Sequence, residues 1–339
     1  MGADSLDGAS VWVDLTTANT LRLPCQAARY IAPTTLSSLQ AALYSARIHQ
    51  WPITLLGGGS NVLLPPTLHG MALRPALRHW WLERSGDDVT AYVGAGVSWH
   101  ALVMALATHG LWGVENLALI PGDCGAAPVQ NIGAYGVELS DVLKAVQVAE
   151  LATGEMYWLN ADACQFGYRD SIFKRALAGK VVITQLALRL SATPRPVLGY
   201  GDLAARVSES PTPLSVAQAV CAIRQEKLPD PAVLANAGSF FKNPLVSNEH
   251  THRLLKEYPD MPHFPQPNNQ TKLAAGWLID QCGLKGQRLG AFGVHERQAL
   301  VLVHFGGGDR PGLLRFADTI AQTVFDRFGV LLEPEPRVI

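Results

Sequence analysis

Charge is scarce in this chain. Asp, Glu, Lys and Arg make up 16% of 339 residues, against 48% hydrophobic residues, and the formal net charge is −1. So apolar a composition excludes a disordered chain or a coiled coil and implies a well-buried globular protein. With no surplus of basic residues there is no broad positive field for nucleic acid or an anionic membrane. Cysteine is also sparse: Cys25, Cys124, Cys164, Cys221 and Cys282 are scattered, and no C-x-x-C occurs. That excludes a zinc ribbon and a dithiol motif, and free buried thiols in a reducing cytosol are expected. The ten histidines contain no H-E-x-x-H, and only His250 and His252 lie close together, so no metal is expected. No run approaches the ~20 apolar residues of a membrane span. The first residues carry Asp4 and Asp7 where a signal peptide needs basic ones, and Leu6 stands where a myristoylation signal needs Ser or Thr. These absences point to a cytoplasmic enzyme.

At ~100–200 residues per domain, two or three units are expected. A polar leader and an entry strand occupy residues 1–20. The spacing of Leu39, Ala42, Leu43, Ala46 and Ile48 predicts a helix over Ser37–His49, followed by a strand at Ile53–Leu56, a β–α–β opening. From about residue 71 strands crowd together: Met71–Arg74, Val89–Val93, Ala145–Leu151, Glu155–Leu159 and Val181–Leu190. A helix over Ser98–His109 interrupts them, and Thr153-Gly154 predicts a hairpin turn. Pro194, Pro196, Pro211 and Pro213 mark a boundary near residue 200. Beyond it come a helix at Ser215–Lys227, a strand-like Gly238–Lys242, a helix at Leu273–Gln281, a strand at Ala299–Val303 and a helix at Pro311–Phe328. The last is stopped by Gly329 and followed by a short strand at Val330–Leu332.

Glycine is plentiful, and it gathers where polar residues do. Gly57-Gly58-Gly59-Ser60-Asn61 follows a strand, so its bare backbone can present N–H groups to a phosphate. Pro65 and Pro66 cannot open the helix that a dinucleotide fingerprint demands, so the Rossmann reading fails. A pyrophosphate nest or a tight turn remains. Ile120–Gly136 is a long, apolar loop with several glycines and prolines, suited to a backbone wall around a flat ligand. There Gln130 and Asn131 could bond a ring edge. Arg169, within Tyr168-Arg169-Asp170-Ser171, could grip a carboxylate with two parallel bonds or pair with Asp170. Gly238-Ser239-Phe240-Phe241-Lys242-Asn243-Pro244 lacks the G-x-S-x-G elbow, so Ser239 is no hydrolase nucleophile. Its hydroxyl could donate a proton to a strongly basic acceptor or bond the backbone at a strand end. Glu333 and Glu335 sit between prolines that hold the strand end stiff. Either carboxylate could be catalytic, or the two could be a solvated pair.

Taken together, these clusters resemble the UDP-N-acetylenolpyruvoylglucosamine reductase family of bacterial flavoenzymes. The resemblance runs over essentially the whole chain. It also takes in Gly94-Ala95-Gly96, Glu115–Gly122, Phe166–Lys174, Gly199–Leu203, Lys227–Pro231, Lys272–Gly283 and Gln298–Leu302. It implies an α+β protein. A two-lobed FAD-binding domain of the p-cresol methylhydroxylase / vanillyl-alcohol oxidase type would span 20–195, with lobes at about 20–70 and 71–195. An α+β substrate-binding domain would span 205–328, and a tail strand, 329–339, would return to the first lobe. The insert at Val246–Leu273 matches the longer family subtype, whose extra loop closes over substrate with a tyrosine. Here the nearest side chains are Phe264 and Tyr258. Pro336 departs from the family's usual valine.

The implied activity is NADPH-dependent reduction of UDP-N-acetylglucosamine enolpyruvate through non-covalent FAD, in cytoplasmic peptidoglycan precursor synthesis. NADPH and substrate would use one cleft in turn, on a monomer. The resemblance assigns catalysis to Ser239 as proton donor and to Arg169 and Glu335 at the substrate carboxylate; Glu335 would act protonated or bridged to a cation. It assigns the cofactor to Gly57, Gly58, Gly59, Ser60, Asn61, Gly94, Gly96, Pro121, Gly122, Gly125, Gln130, Asn131, Ile132, Gly133, Tyr135 and Gly136. It assigns the UDP-sugar to Tyr168, Tyr200, Lys227, Asn243, Lys285 and Gln298. Another flavin oxidase, or a silent nucleotide-sugar-binding module, would share many of these features.

Overall fold

A computed structural model describes residues 12–339. The polar leader expected at the N-terminus therefore falls largely outside the described residues; of the entry strand, Val13–Asp14 is extended. By internal packing the chain forms two units. The first combines the stretch ending at Asp14 with Gln26–Gly58 and Thr67–Arg224; the second combines Leu15–Cys25, Gly59–Pro66 and Gln225–Ile339.

The first unit opens with the expected β–α–β pattern. Its four-stranded sheet runs in the order Val13–Asp14, Gln26–Ile31, Thr67–Leu73, Ile53–Leu55, and the last three strands are parallel. The Leu36–Ile48 helix starts at Thr35, whose side chain accepts from Ser38 N while Ser38 caps in return. It buries Leu39, Ala42, Leu43 and Ala46 against Met71 and Leu73 of the sheet. A five-stranded antiparallel sheet follows, ordered Met156–Asn160, Leu143–Glu150, Val181–Ser191, Asp88–Gly94, Trp80–Ser85. The first two strands are joined by the predicted Thr153-Gly154 turn, with Gly154 at φ +78. The Trp80–Ser85 strand was not expected. It is an edge strand with no fully buried residue, so it carries no clean hydrophobic alternation. The Trp99–Thr108 helix buries Trp99, Leu102, Val103 and Leu106 in the core beneath this sheet.

Two expectations are corrected by packing. The Pro213–Lys227 helix was read as opening the C-terminal domain. Its Val216, Ala217, Val220 and Ile223 instead lie in the first unit's core, so the division falls at Arg224 inside that helix. Prolines break the chain near residue 200, but Leu203 beside them is buried in the same core, so no domain ends there.

The second unit is built on an antiparallel sheet, Ala235–Ser239, Val301–His304, Phe292–Val294, Arg288–Leu289. The Arg310–Phe328 helix covers it with Leu313, Phe316, Ala317, Ile320 and Val324, and Gly329 at φ +64 ends the helix as predicted. The 246–273 insert is more ordered than its sequence suggested. It holds a helix, Asn248–Glu257, capped by Ser247, and a sheet of Leu245–Ser247, Gln270–Leu273 and His263–Gln266. Within the 329–339 tail, the strand placed at Val330–Leu332 lies further along the chain. Val330 and Leu332 are buried in the core without strand pairing, and the strand is Arg337–Val338, parallel to Val62–Leu63. Those residues follow the glycine run as an extended segment and not as a helix, in keeping with the failed Rossmann pattern.

Candidate functional site

The first unit builds a bare-backbone cradle. A methyl group on Gly58 would stand 2.8 Å from Gly122 Cα, and one on Gly57 would stand 3.0 Å from Ala126 Cβ. The 122–126 loop opposite them is fixed from behind. Arg74 grips Asp123 with two bonds of 3.0 and 3.2 Å, and Trp99 N donates to Gly122 O. Gly94, Gly96 and Gly125 are glycines for another reason. Any Cβ there would collide with Leu77 O, the Ala76 backbone or Ala95. They let neighbouring backbone segments approach closely and thereby set the loop. Beyond Cys124–Gln130, a 3-10 turn, Asn131 and Tyr135 take left-handed φ values of +47 and +50.

Asn131 was read as a possible partner of a ring edge. Its side chain is instead engaged by the protein: Nδ2 donates to Glu138 Oε2 and Gly167 O, and Oδ1 accepts from Ser140 N. It positions the loop. Arg169 lies against the same loop. It donates to Gly133 O at 2.8 Å and to Asn131 O, its Nη1 is 4.0 Å from Glu138 Oε1, and it lies 5.3 Å from the Tyr168 ring centroid. Asp170 pairs with Arg175, so the alternative pairing of Arg169 with Asp170 is not formed. Arg169 is itself at φ +54, and Lys174 Nζ and Ser171 Oγ bind Arg169 O and Val129 O to hold the segment there. Tyr135 meets Tyr200 edge-on at 5.8 Å, and Tyr200 is exposed.

Sequence reasoning missed Asn116 and Arg224. Asn116 is buried and donates to Tyr135 O and Val197 O, while its Oδ1 has no partner among the described residues. Arg224 Nε is likewise buried and without a partner among the described residues, and burial pulls this guanidinium's pKa down, with the charge of Arg169 adding to the effect. A signal existed: Arg224 follows Ile223 on the apolar face of its helix, where an unpaired charge is costly. The buried Cys124 thiol is pushed up by burial and is inert, and Cys164 is pushed up to about 11 for the same reason.

In the second unit two distant segments meet as strands. Glu335 N donates to Phe240 O at 2.8 Å, Lys242 N donates to Glu333 O at 2.9 Å, and Phe241 bridges Pro334. This register sets Ser239 and Glu335 at the same end of the pairing. Phe240 and Phe241, both 1% exposed, anchor it in the core. Gly238 supplies φ +70 just before Ser239. Ser239 is half-buried, and its Oγ makes no hydrogen bond among the described residues, so the backbone-bonded alternative is not realised. Glu333 is drawn to Lys242 Nζ at 3.1 Å. Asn61 Nδ2 reaches Glu335 O at 3.5 Å, and Gly59 takes φ +68 where a methyl would lie 1.9 Å from Ala18 O. Asn243 Oδ1 accepts from Ala275 N, the start of the Ala275–Gln281 helix. Gln298 Oε1 accepts from Leu300 N, Lys285 Nζ pairs with Asp280 at 2.6 Å, and Lys227 is exposed. Tyr258 packs on Trp277 and Phe328, whereas Phe264 is exposed.

Comparison with known proteins gives this arrangement its context. Residues 27–160 match a family described as FAD binding domain, and 230–339 match the C-terminal domain of UDP-N-acetylenolpyruvoylglucosamine reductase. The protein of that name from Chromobacterium violaceum is 47% identical over 333 residues, 96% of this chain and 98% of its own length. The chain belongs to the UDP-N-acetylenolpyruvoylglucosamine reductase family. The Pasteurella multocida member is 46% identical over 95% of this chain and 94% of its own. In fold, the Thermus caldophilus reductase superposes with a TM-score of 0.67 at 24% identity, covering 96% of this chain and 97% of the other. The first unit suits a family that uses FAD. Bare glycine backbone faces the 122–126 loop, and buried polar groups near Tyr135, Arg224 Nε and Asn116 Oδ1, have hydrogen bonds left to make. Among the described residues no helix is long and apolar enough to cross a membrane.

Proposed function

We propose that this chain reduces UDP-N-acetylglucosamine enolpyruvate to UDP-N-acetylmuramate with NADPH, through non-covalently bound FAD, in peptidoglycan precursor synthesis in the cytoplasm. FAD supplies the hydride relay from NADPH to the substrate alkene; the protein supplies placement and charge. In this reading the glycines at 57–59, Ser60, Asn61, Gly94 and Gly96 and the 121–136 loop hold the cofactor. Ser239 donates a proton to the ether carbon of the substrate. Arg169 and Glu335, the latter protonated or bridged to a cation, stabilise the charge that gathers at the substrate carboxylate. Tyr168, Tyr200, Lys227, Asn243, Lys285 and Gln298 bind the UDP-sugar. Asn243, whose carbonyl oxygen is engaged by Ala275 N, offers its amide N–H groups. NADPH and substrate use one site in turn, and the enzyme acts as a monomer.

The observation that carries the catalytic assignment is the Ser239 hydroxyl, without a hydrogen-bond partner among the described residues, at the strand pairing that also sets Glu335. The test is the visible spectrum of the purified protein under anaerobic conditions. The protein should be yellow, and acid precipitation should leave the colour in the supernatant. NADPH should bleach it, and the enolpyruvyl substrate should restore it. A colourless protein, colour retained in the pellet, or bleaching without reoxidation by that substrate would overturn the assignment.

A further inference from the structure

Three bonds tie the start of the Trp99–Thr108 helix to the 117–122 segment. Trp99 Nε1 donates to Leu117 O at 3.0 Å, and Trp99 N donates to Gly122 O at 3.0 Å. The third runs the other way: Leu119 N donates to His100 Nδ1 at 3.0 Å. Leu119 needs that support. It is a leucine at φ +59, a left-handed conformation that crowds its Cβ, and it is followed by Ile120, Pro121 and Gly122 at φ +111. Of the three bonds, only the His100 bond depends on a proton. A neutral imidazole can accept at Nδ1, whereas a protonated ring has two donors and no lone pair left to accept from an N–H.

We propose that His100 is a positioning residue for the 119–122 segment, whose neutral ring holds the loop in its FAD-binding shape and whose protonation releases it. The inference rests on the reading that Pro121 and Gly122 line the cofactor. The surroundings of His100 favour the neutral form. Burial pulls its pKa down, and the positive charge of Arg224, on the Pro213–Lys227 helix, pulls in the same direction. The helix that bears His100 carries no carboxylate between Trp99 and Thr108, and Leu119–Gly122 carries none either. Asp123, the next acid along, is engaged by Arg74. The sign follows. The folded protein binds this proton less readily than the unfolded chain, so the bond is present at neutral pH. It is lost, and the fold with it weakened, as pH falls below the usual imidazole range through the depressed value.

The test is FAD affinity, read by fluorescence on apoprotein reconstituted between about pH 7.5 and about pH 4.5, for wild type, His100→Asn and His100→Ala. Asparagine places a non-titrating acceptor near the position of Nδ1. Wild type should weaken about tenfold more across this range than His100→Asn, the scale of one bond to a half-buried amide. His100→Ala should be about tenfold weaker already at the upper pH and should also lose the extra slope. Should the variants fold poorly, hydrogen exchange of the Leu119 amide in wild-type apoprotein serves instead. Its protection, corrected for intrinsic rates, should fall with pH. A wild-type slope in His100→Asn, wild-type affinity in His100→Ala, or unchanged Leu119 protection overturns the inference. Gly122→Ala separates the two ideas. If it binds FAD as wild type does, the cofactor-wall reading fails and takes this inference with it. If it binds weakly while His100→Asn keeps the wild-type slope, only the role of His100 falls.

Discussion

Replacing Ser239 by alanine separates chemistry from stability. The Ser239 side chain is half-buried at the end of the Ala235–Ser239 strand, and its hydroxyl makes no hydrogen bond among the described residues. Its removal therefore leaves no buried partner unsatisfied, and the stability change should stay within ~0.5 kcal/mol. The backbone bonds that set the pairing, Glu335 N to Phe240 O and Phe240 N to Leu300 O, do not involve the side chain and should persist. Activity should behave differently. A positioned proton donor contributes ~10²–10⁴-fold, or about 3–5 kcal/mol at ~1.36 kcal/mol per decade. Anaerobic stopped-flow should show flavin bleaching by NADPH at nearly the wild-type rate. Reoxidation by the enolpyruvyl substrate should collapse by at least the lower figure. Ser239→Cys keeps a transferable proton in nearly the same place and should lose less than alanine does. A Ser239→Ala enzyme that melts as wild type does and reoxidises within a few-fold of wild type would refute the reasoning. Parallel loss in both half-reactions would place the residue in folding or cofactor retention instead.

Arg169→Lys should slow reoxidation by substrate strongly while NADPH still bleaches the flavin, because a single ammonium cannot reproduce a two-pronged grip; equal loss in both half-reactions, read by stopped-flow, would contradict this. Gly59→Ala should cost more than about 3 kcal/mol or abolish folding. It adds left-handed strain of ~1–2 kcal/mol and places a methyl 1.9 Å from Ala18 O. The segment it strikes cannot yield, since Asn19 ties it to Leu15, Thr16 and Leu23. A melting temperature within about 2 °C of wild type would contradict that.

Much of the fold was legible because the long elements carry strong periodicity. The Leu36–Ile48, Trp99–Thr108 and Arg310–Phe328 helices lie within a residue or two of their apolar patterns, with Thr35, Ser98 and Gly329 at their ends. What failed was allegiance. The face of the Pro213–Lys227 helix says that it is buried, not against what, and a core assembled from distant segments leaves no local trace. The Trp80–Ser85 strand escaped notice because pairing, not hydrophobic alternation, makes it a strand. For the site, the family resemblance offered candidate residues one by one. The engagement of the Asn131 amide by Glu138 and Ser140 was not legible, since those contacts arise only once the loop has closed on itself.

The second unit draws on both ends of the chain. Leu15–Cys25 and Gly59–Pro66 belong to it, yet Val62–Leu63 finds its strand partner in Arg337–Val338, at the far end of the sequence. On the ribosome those early segments emerge long before the residues they pair with. Their apolar side chains, Leu21, Leu23 and Leu63, must wait in the open for the last helix and tail to be made. So long a wait means high contact order and slow closure, with exposed surface that invites misassembly. A fragment cut at residue 225 would lack three of the side chains that fill its core. This unit needs both its early segments and its final residues to close, and its excision as a contiguous piece would yield a protein with a missing wall.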